Sequence, residues 1–298
     1  MNKESISRWF RNLQLAICNS LEILDREEKF LEDEWTRSGG GGGYSSVISN
    51  GNLLEKGGVN YSQVHGETPQ KILEALQLKE SMFYATGVSI VLHPKNPHVP
   101  IIHMNVRYFE MSDGTWWFGG GIDLTPIYIS EKQASFFHKE LKKACDNHDS
   151  SYYQKFKTWA DDYFYIKHRN ETRGIGGIFF DRLAGKDNDS KERIFEFVKE
   201  IGNSLVPVYS AIAEENRSIP FDESQREWQY LRRGRYTEFN LVYDKGTKFG
   251  LDTNGRTESI LMSLPPQANW KYDFHPREGT PEWLTQSLLL KGIDWINR

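Results

Sequence analysis

The sequence predicts an α+β fold, a single large antiparallel β-sheet flanked by α-helices on both faces. Three observations lead there. Strand candidates are joined by turns too short for anything but antiparallel pairing. Helical stretches arrive in blocks and do not alternate strictly with strands. Strands are also expected toward both ends of the chain, so one domain over residues 1–298 is more economical than two. A chain of 298 residues is long enough to bury a core without disulfides. At 38% hydrophobic and 26% charged, it is not a disordered chain. The 37 Lys+Arg against 41 Asp+Glu leave a formal charge of -4, with no basic surplus for nucleic acid or an anionic membrane. No apolar run approaches the roughly 18 residues of a spanning helix. The polar N-terminus, interrupted by Glu4, reads as neither secretory signal nor transit peptide. Cys18 and Cys145 make no framework and read as reduced core thiols. A cytoplasmic location is expected. The aromatic content, 13%, has two readings, a well-filled core or a pocket for a large flat ligand.

In chain order, Ile6, Phe10, Leu13, Ile17, Leu21 and Leu24 form one stripe of a long amphipathic helix within residues 1–38. The glycines at 39–43 end it. Strands are expected at 44–48 and from Leu53, around a two-residue turn at Asn50-Gly51. Others are expected at 87–92, 99–110 and 115–122, with Ser112-Asp113-Gly114 as a turn. Ser130 and Gln133 suggest a capping box for a helix to about Asp146. A second helix is expected near 152–167 and a buried strand at 175–180. A helix over 191–215 should kink or split at Pro207. Three more strands are expected at 235–243, 247–252 and 257–264, then a last helix within 280–298.

The chemistry concentrates in four segments. Between Ile102 and Tyr108, one strand face carries His103, Asn105 and Arg107 and the other carries Ile102, Met104, Val106 and Tyr108. Such a strand either lines a polar pocket or shows its polar face to solvent. His93 ends the preceding strand nearby. Three consecutive glycines, Gly119–Gly121, need a reason in a strand, the close approach of a ligand or backbone, or a bulge. Asp123 follows them in an apolar neighbourhood that would raise its pKa and suit it to accept a proton. His168, Arg169 and Arg173 make a basic cluster suited to carboxylates, as do Arg232, Arg233, Arg235 and Arg256. The alternative for the second group is salt bridging with Glu227, Glu238 and Glu258. RGIGG at 173–177 lacks the spacing and context of a nucleotide loop. The histidines at 93, 103, 138 and 168 are too far apart for a recognised metal motif, although they can still converge in space.

The segments EKGGVNYSQVHG (55–66), GVSIVLHP (87–94), HMNVRYFE (103–110), WWFGGGIDLTP (116–126), RGIGGIFFD (173–181), EFNLVYDKGT (238–247) and GRTESILMSLPP (255–266) resemble those of oxygen-dependent coproporphyrinogen III oxidases, in order, from about residue 39 to 272. The resemblance implies oxidative decarboxylation of two propionates of coproporphyrinogen III to vinyls, giving protoporphyrinogen IX. Molecular oxygen would be the oxidant, with CO2 and H2O2 as by-products and no organic cofactor. It implies a homodimer with residues 236–272 at its interface. It makes His103 a general acid/base, and Ser89, Asn105, Val106 and Arg107 substrate-binding residues. Asp123 would meet the pyrrole N–H groups and Arg173 would hold a propionate. His93, His103, His138 and His168 match a proposed divalent-metal set. The family's substrate-binding Gly-Gly-Arg reads Asn254-Gly255-Arg256 here, a departure that a tight turn tolerates. Two other readings remain, a tetrapyrrole-binding protein without turnover and a metal-dependent oxygenase.

Overall fold

A computed structural model describes residues 1–68, 73, 81–252 and 255–298. Helix α1 (Lys3–Asp25) buries all six residues of the expected stripe. It does not reach residue 38. The Asp25 carboxylate accepts the amides of Glu28, Asn52, Leu53 and Leu54, and Arg26 turns the chain away at φ 79°. Burial pushes the Asp25 carboxyl up, but these amides outweigh it and hold the group below its usual range. By drawing in residues 52–54, Asp25 also widens the expected two-residue turn. Asn50 N–H reaches Glu55 O, Gly51 N–H reaches Leu54 O, and Asn50 takes φ 61°.

The strands are β1 (Leu31–Thr36), β2 (Gly41–Ser49), β3 (Leu54–Glu67), β4 (Met82–Pro94), β5 (Ile101–Met111), β6 (Trp116–Thr125), the short pair β7 (Tyr165–Ile166) and β8 (Glu171–Thr172), and β9 (Gly176–Leu183). Seven of them form one sheet in the order β1-β2-β3-β4-β5-β6-β9, every neighbouring pair antiparallel. Strand β1 was not expected. Its sequence, LEDEWT, offers no apolar face because it is an exposed edge strand, and its charges protect that edge.

One face of the sheet carries the main core. Val88, Ile90, Ile102, Met104, Val106, Tyr108 and Phe118 are buried there beneath α1, α2 (Glu131–Asp146) and α4 (Asn188–Asn216). Ser130 caps α2 with its hydroxyl, but Gln133 turns to Asn216 and does not close a box. Helix α4 runs unsplit through Pro207, so of the two expected outcomes a split does not occur. Helix α3 (Tyr152–Tyr163) passes the β9 edge. Tyr153 and Phe156 join the main core, while Ala160 joins Phe164, Ile166 and Phe239 on the other face.

The C-terminal third overturns an expectation. The three expected strands fall largely on helices, α5 (Glu223–Val242), α6 (Lys245–Asp252) and α7 (Thr257–Leu261), so among the described residues the sheet has no strand after Leu183. The overlooked signal was Asp222 with Gln225, a reciprocal cap, followed by Trp228, Leu231, Tyr236 and Phe239 at helical steps. Helix α5 lies on the second face at its His93 end, over Val91, Ile101 and Ile127. Helices therefore do stand on both faces. The last expected helix is α8 (Pro281–Ser287) only, followed by a turn at Gly292 (φ 77°) and a short 3-10 turn at Trp295–Asn297. Among the described residues, no helix is long and apolar enough to cross a membrane.

Candidate active site

The second face beside α5 is a floor of small and polar side chains. Register places Asp33, Ser45, Asn60, Ser89, Asn105, Gly121 and Phe179 in one row across the sheet. The next row toward the open end runs Trp35, Gly43, Ser62, Gly87, Arg107 and Gly119. The row on the other side ends in His103 opposite Asp123. His103, Asn105 and Arg107 thus share the face expected of them, half-buried, with the alternating residues in the core. His103 and Arg107 stand about 13 Å apart along β5, and β2 to β5 spans about 14 Å.

At the α5 end stands a chain of three groups. His103 Nδ1 lies 2.7 Å from Asp123 Oδ1, and Arg173 Nη2 donates to both Asp123 oxygens at 2.8 and 2.7 Å. Arg173 Nη1 donates to Asn240 Oδ1 at 3.0 Å. Its guanidinium sits 4.3–4.7 Å from the ring centres of Phe164, Tyr236 and Phe239. Asp123 and Arg173 are each 2% exposed. Burial pushes the Asp123 carboxyl up, but the Arg173 guanidinium and then His103 outweigh it and hold the group below its usual range. The expected raised pKa is therefore overturned. An ionised carboxylate only accepts, so Nδ1 of His103 carries a proton, and whenever the ring is neutral Nε2 is its free base. The ring is 21% exposed and meets Phe164 edge-on. Asp123 is enclosed behind His103 and reaches the floor through it. Arg173 gives Nη1 to Asn240 and Nη2 to Asp123, while its buried Nε has no hydrogen-bond partner.

Arg107 lies flat over the sheet, donating to Asn105 Oδ1 at 2.9 Å and to Asp181 Oδ1 at 2.8 Å. The triple glycine makes room for this. A Cβ on Gly119 would stand 2.7 Å from Asp181 Oδ1 and 2.9 Å from Arg107 Nε. One on Gly120 would stand 2.8 Å from the Phe180 ring, and one on Gly121 2.7 Å from Ile178 O. Across the floor, Arg256 at the start of α7 pairs with Asp33 and reaches Ser45 and Ser259, whose hydroxyls are 2.8 Å apart. Gly255 packs against the end of α6, its N–H on Gly250 O; Asn254 lies outside the described residues.

Other expected residues are placed elsewhere. The Val106 side chain is in the main core, so only its backbone is near the floor. The four histidines do not gather. His138 uses both ring nitrogens, on Tyr153 and on Ile175 O, and burial lowers its pKa to about 4. His93 gives Nε2 to Ser263 O beneath Tyr236, with its pKa lowered to about 3 by burial and then Arg233. His168 is exposed, between Glu238 and Tyr243. Among the described residues, no three His, Cys, Asp or Glu side chains are grouped to hold a metal ion. The expected arginine clusters serve internal carboxylates: Arg232 with Glu171, Arg233 with Glu55, and Arg169 and Arg235 with Glu238. Sequence reasoning missed Asp33, Asp181 and Asn240. Asp181 shares strand parity with Phe179 and was within reach; Asp33 stands on the unexpected strand.

A family model described as Coproporphyrinogen III oxidase matches residues 5–295. Coproporphyrinogen-III oxidase 1, chloroplastic, of Arabidopsis thaliana is 49% identical over 301 residues, covering 96% of this chain and 77% of that protein. Oxygen-dependent coproporphyrinogen-III oxidase of Drosophila melanogaster is 48% identical over 298 residues, covering 95% and 76%. The chloroplastic enzyme of Nicotiana tabacum is 48% identical over 302 residues, covering 96% and 75%. With the expected fold and an intact His103, Arg107, Asp123 and Arg173 set on one face, the chain belongs to the coproporphyrinogen III oxidase family.

Proposed function

We infer that the floor beside α5 is where this chain carries out the oxygen-dependent oxidative decarboxylation of coproporphyrinogen III in heme biosynthesis. For each propionate, R–CH2CH2–COO⁻ + O2 + H⁺ gives R–CH=CH2 + CO2 + H2O2. The observation that carries the assignment is the His103–Asp123–Arg173 chain, set at one end of a polar floor with Arg107 two rows along the same strand. A tetracarboxylate macrocycle needs a flat platform and cations at its rim; here Arg107 and Arg256 stand at two margins of it. Arginine forks suit carboxylates. Ser89, Asn105 and Asn60 offer hydrogen bonds from below. The ionised Asp123 sets the His103 tautomer, and His103 Nε2 takes a proton from the reduced macrocycle as its pyrrole is activated.

His103→Gln is expected to keep affinity for a coproporphyrin probe within a few-fold while kcat falls roughly 10²–10⁴-fold. Aerobic formation of protoporphyrin fluorescence measures the second. Wild-type turnover in the variant would remove His103 from this role, and weak binding would move it to the grip on the substrate.

A homodimer through residues 236–272 is part of the same reading. Leu241, Val242, Trp270 and Tyr272 in that stretch are exposed large apolar side chains of the kind an interface covers, whereas Tyr236 itself is buried under Arg173. Light scattering on the purified chain should give twice the mass of 34.7 kDa. A single-subunit mass at micromolar concentration would overturn it.

A further inference from the structure

We propose that Asp181 and Asp33 are built-in stand-ins for substrate carboxylates. Each occupies one floor-facing arginine in the unliganded protein and is exchanged for a propionate when substrate arrives. The proposal rests on the reading that Arg107 and Arg256 grip the substrate. Both arginines hold a carboxylate of the chain itself, Arg107 that of Asp181 at 2.8 Å and Arg256 that of Asp33. Both pairs are open to incoming ligand: the side chains are 39% and 33% exposed in the first, 29% and 59% in the second. They differ from Asp123–Arg173, which is closed at 2% and cannot exchange.

The first pair is constructed. Where β6 meets β9 the register slips between Phe118 and Gly120, and Arg182 takes φ 49°, unusual for a residue other than glycine. Strand irregularities of this kind re-aim a side chain. Here the slip sets the Asp181 carboxylate over Gly119, which has no Cβ to obstruct it. The second pair ties α7 to the edge strand β1 across the floor, beside Ser45 and Ser259. The two anions therefore stand at opposite margins, the places where the arms of a flat tetracarboxylate would reach.

The chemistry gives the exchange a use. An arginine facing a bare platform would bind any stray anion and would carry an uncompensated charge. Paired with an internal carboxylate, it yields only to a ligand that offers carboxylates at both margins at once. After two propionates have become vinyls, the product keeps two of its four carboxylates, so fewer arms compete with the aspartates for the two arginines. The aspartates reclaim the arginines and help the product leave.

The test is a titration of Asp33→Asn and Asp181→Asn proteins with two non-reacting porphyrins, tetracarboxylate coproporphyrin III and dicarboxylate mesoporphyrin, read by fluorescence quenching. Asparagine keeps a hydrogen-bond acceptor for each arginine and removes only the charge. Exposed ion pairs of this kind correspond to roughly a two- to five-fold change in binding. Each variant should bind the tetracarboxylate tighter by about that factor, both together by roughly the product, with the dicarboxylate less affected. Thermal midpoints within a few degrees of wild type confirm folding. Weaker tetracarboxylate binding in folded variants would make the aspartates ordinary struts and overturn the exchange, as would unchanged binding. Arg107→Lys and Arg256→Lys separate the two levels. If both keep wild-type affinity, the reading of the arginines as the grip fails. If they weaken binding while the asparagine variants do not strengthen it, only the exchange fails.

Discussion

Replacing Asp123 with asparagine is expected to lower kcat by roughly 10²–10⁴-fold and to cost about 3–5 kcal/mol of stability, for two separable reasons. The kinetic loss comes from the imidazole. The ionised carboxylate can only accept, which fixes the proton of neutral His103 on Nδ1. An asparagine amide can donate to that nitrogen instead, moving the proton to Nε2 and removing the base from the floor. The stability loss comes from Arg173, which is enclosed by three rings and keeps its charge because Asp123 is beside it. Leaving a buried cation alone costs more than the pair contributes. A double variant tells the two apart: Asp123→Asn with Arg173→Met should recover much of the urea midpoint and none of the turnover. The pH dependence follows from the direction of the shift. Because the Asp123 carboxyl is held below its unfolded value, its contribution is fully present above that unfolded value, near 4, and is lost as pH falls through the folded one. Wild type should therefore lose more stability between about pH 5 and 3 than the asparagine variant. Full turnover in Asp123→Asn, or unchanged stability, would dismantle this account of the chain of three.

Which parts of this arrangement were legible in the sequence depends on whether a feature is local. The alternation in β5 needed only seven consecutive residues, and the glycines at 119–121 announced a close approach that the structure assigns to Arg107, Asp181, Phe180 and the β9 backbone. The α1 stripe and the α2 cap were likewise short-range. The enclosure of Arg173 was not legible, because Phe164, Tyr236, Phe239 and Asn240 come from a loop and a distant helix. That enclosure reversed the expected direction of the Asp123 shift and ties Arg173 to Asp123 and Asn240. Residues 235–243 failed for another reason. Tyr236, Phe239 and Tyr243 favour strands by propensity, and packing on Val91 and Ile101 overrode it in favour of a helix capped well upstream, at Asp222. Equally, the four histidines are indistinguishable by type, and only the tertiary fold shows that His138 has no lone pair to give.

Two glycines, Gly119 in β6 and Gly177 in β9, offer the sharpest contrast between a site residue and a scaffold residue. At Gly119 an added methyl would meet the ends of two side chains, Asp181 Oδ1 and Arg107 Nε. Both can swing aside, so Gly119→Ala should fold with a thermal midpoint near wild type, but Arg107 would be lifted off the floor. Charge-assisted hydrogen bonds of about 1.5–3 kcal/mol are at stake, so KM should rise roughly 10- to 100-fold with kcat little changed. At Gly177, opposite Asp123, the methyl would stand 2.0 Å from Ile122 O and 3.0 Å from the Asp123 Cα, at φ 158°. Backbone cannot swing aside as a side chain does. Gly177→Ala must open the β6–β9 ladder and shift Asp123, so the expected loss is in stability, by about 3 kcal/mol or more, and in kcat. Urea unfolding and steady-state kinetics on the two proteins read both axes. A Gly119→Ala enzyme with wild-type KM would mean that Arg107 does not need its place on the glycine floor to hold the substrate. Equal destabilisation by both substitutions would mean that the floor is part of the scaffold and not a surface kept clear for a ligand.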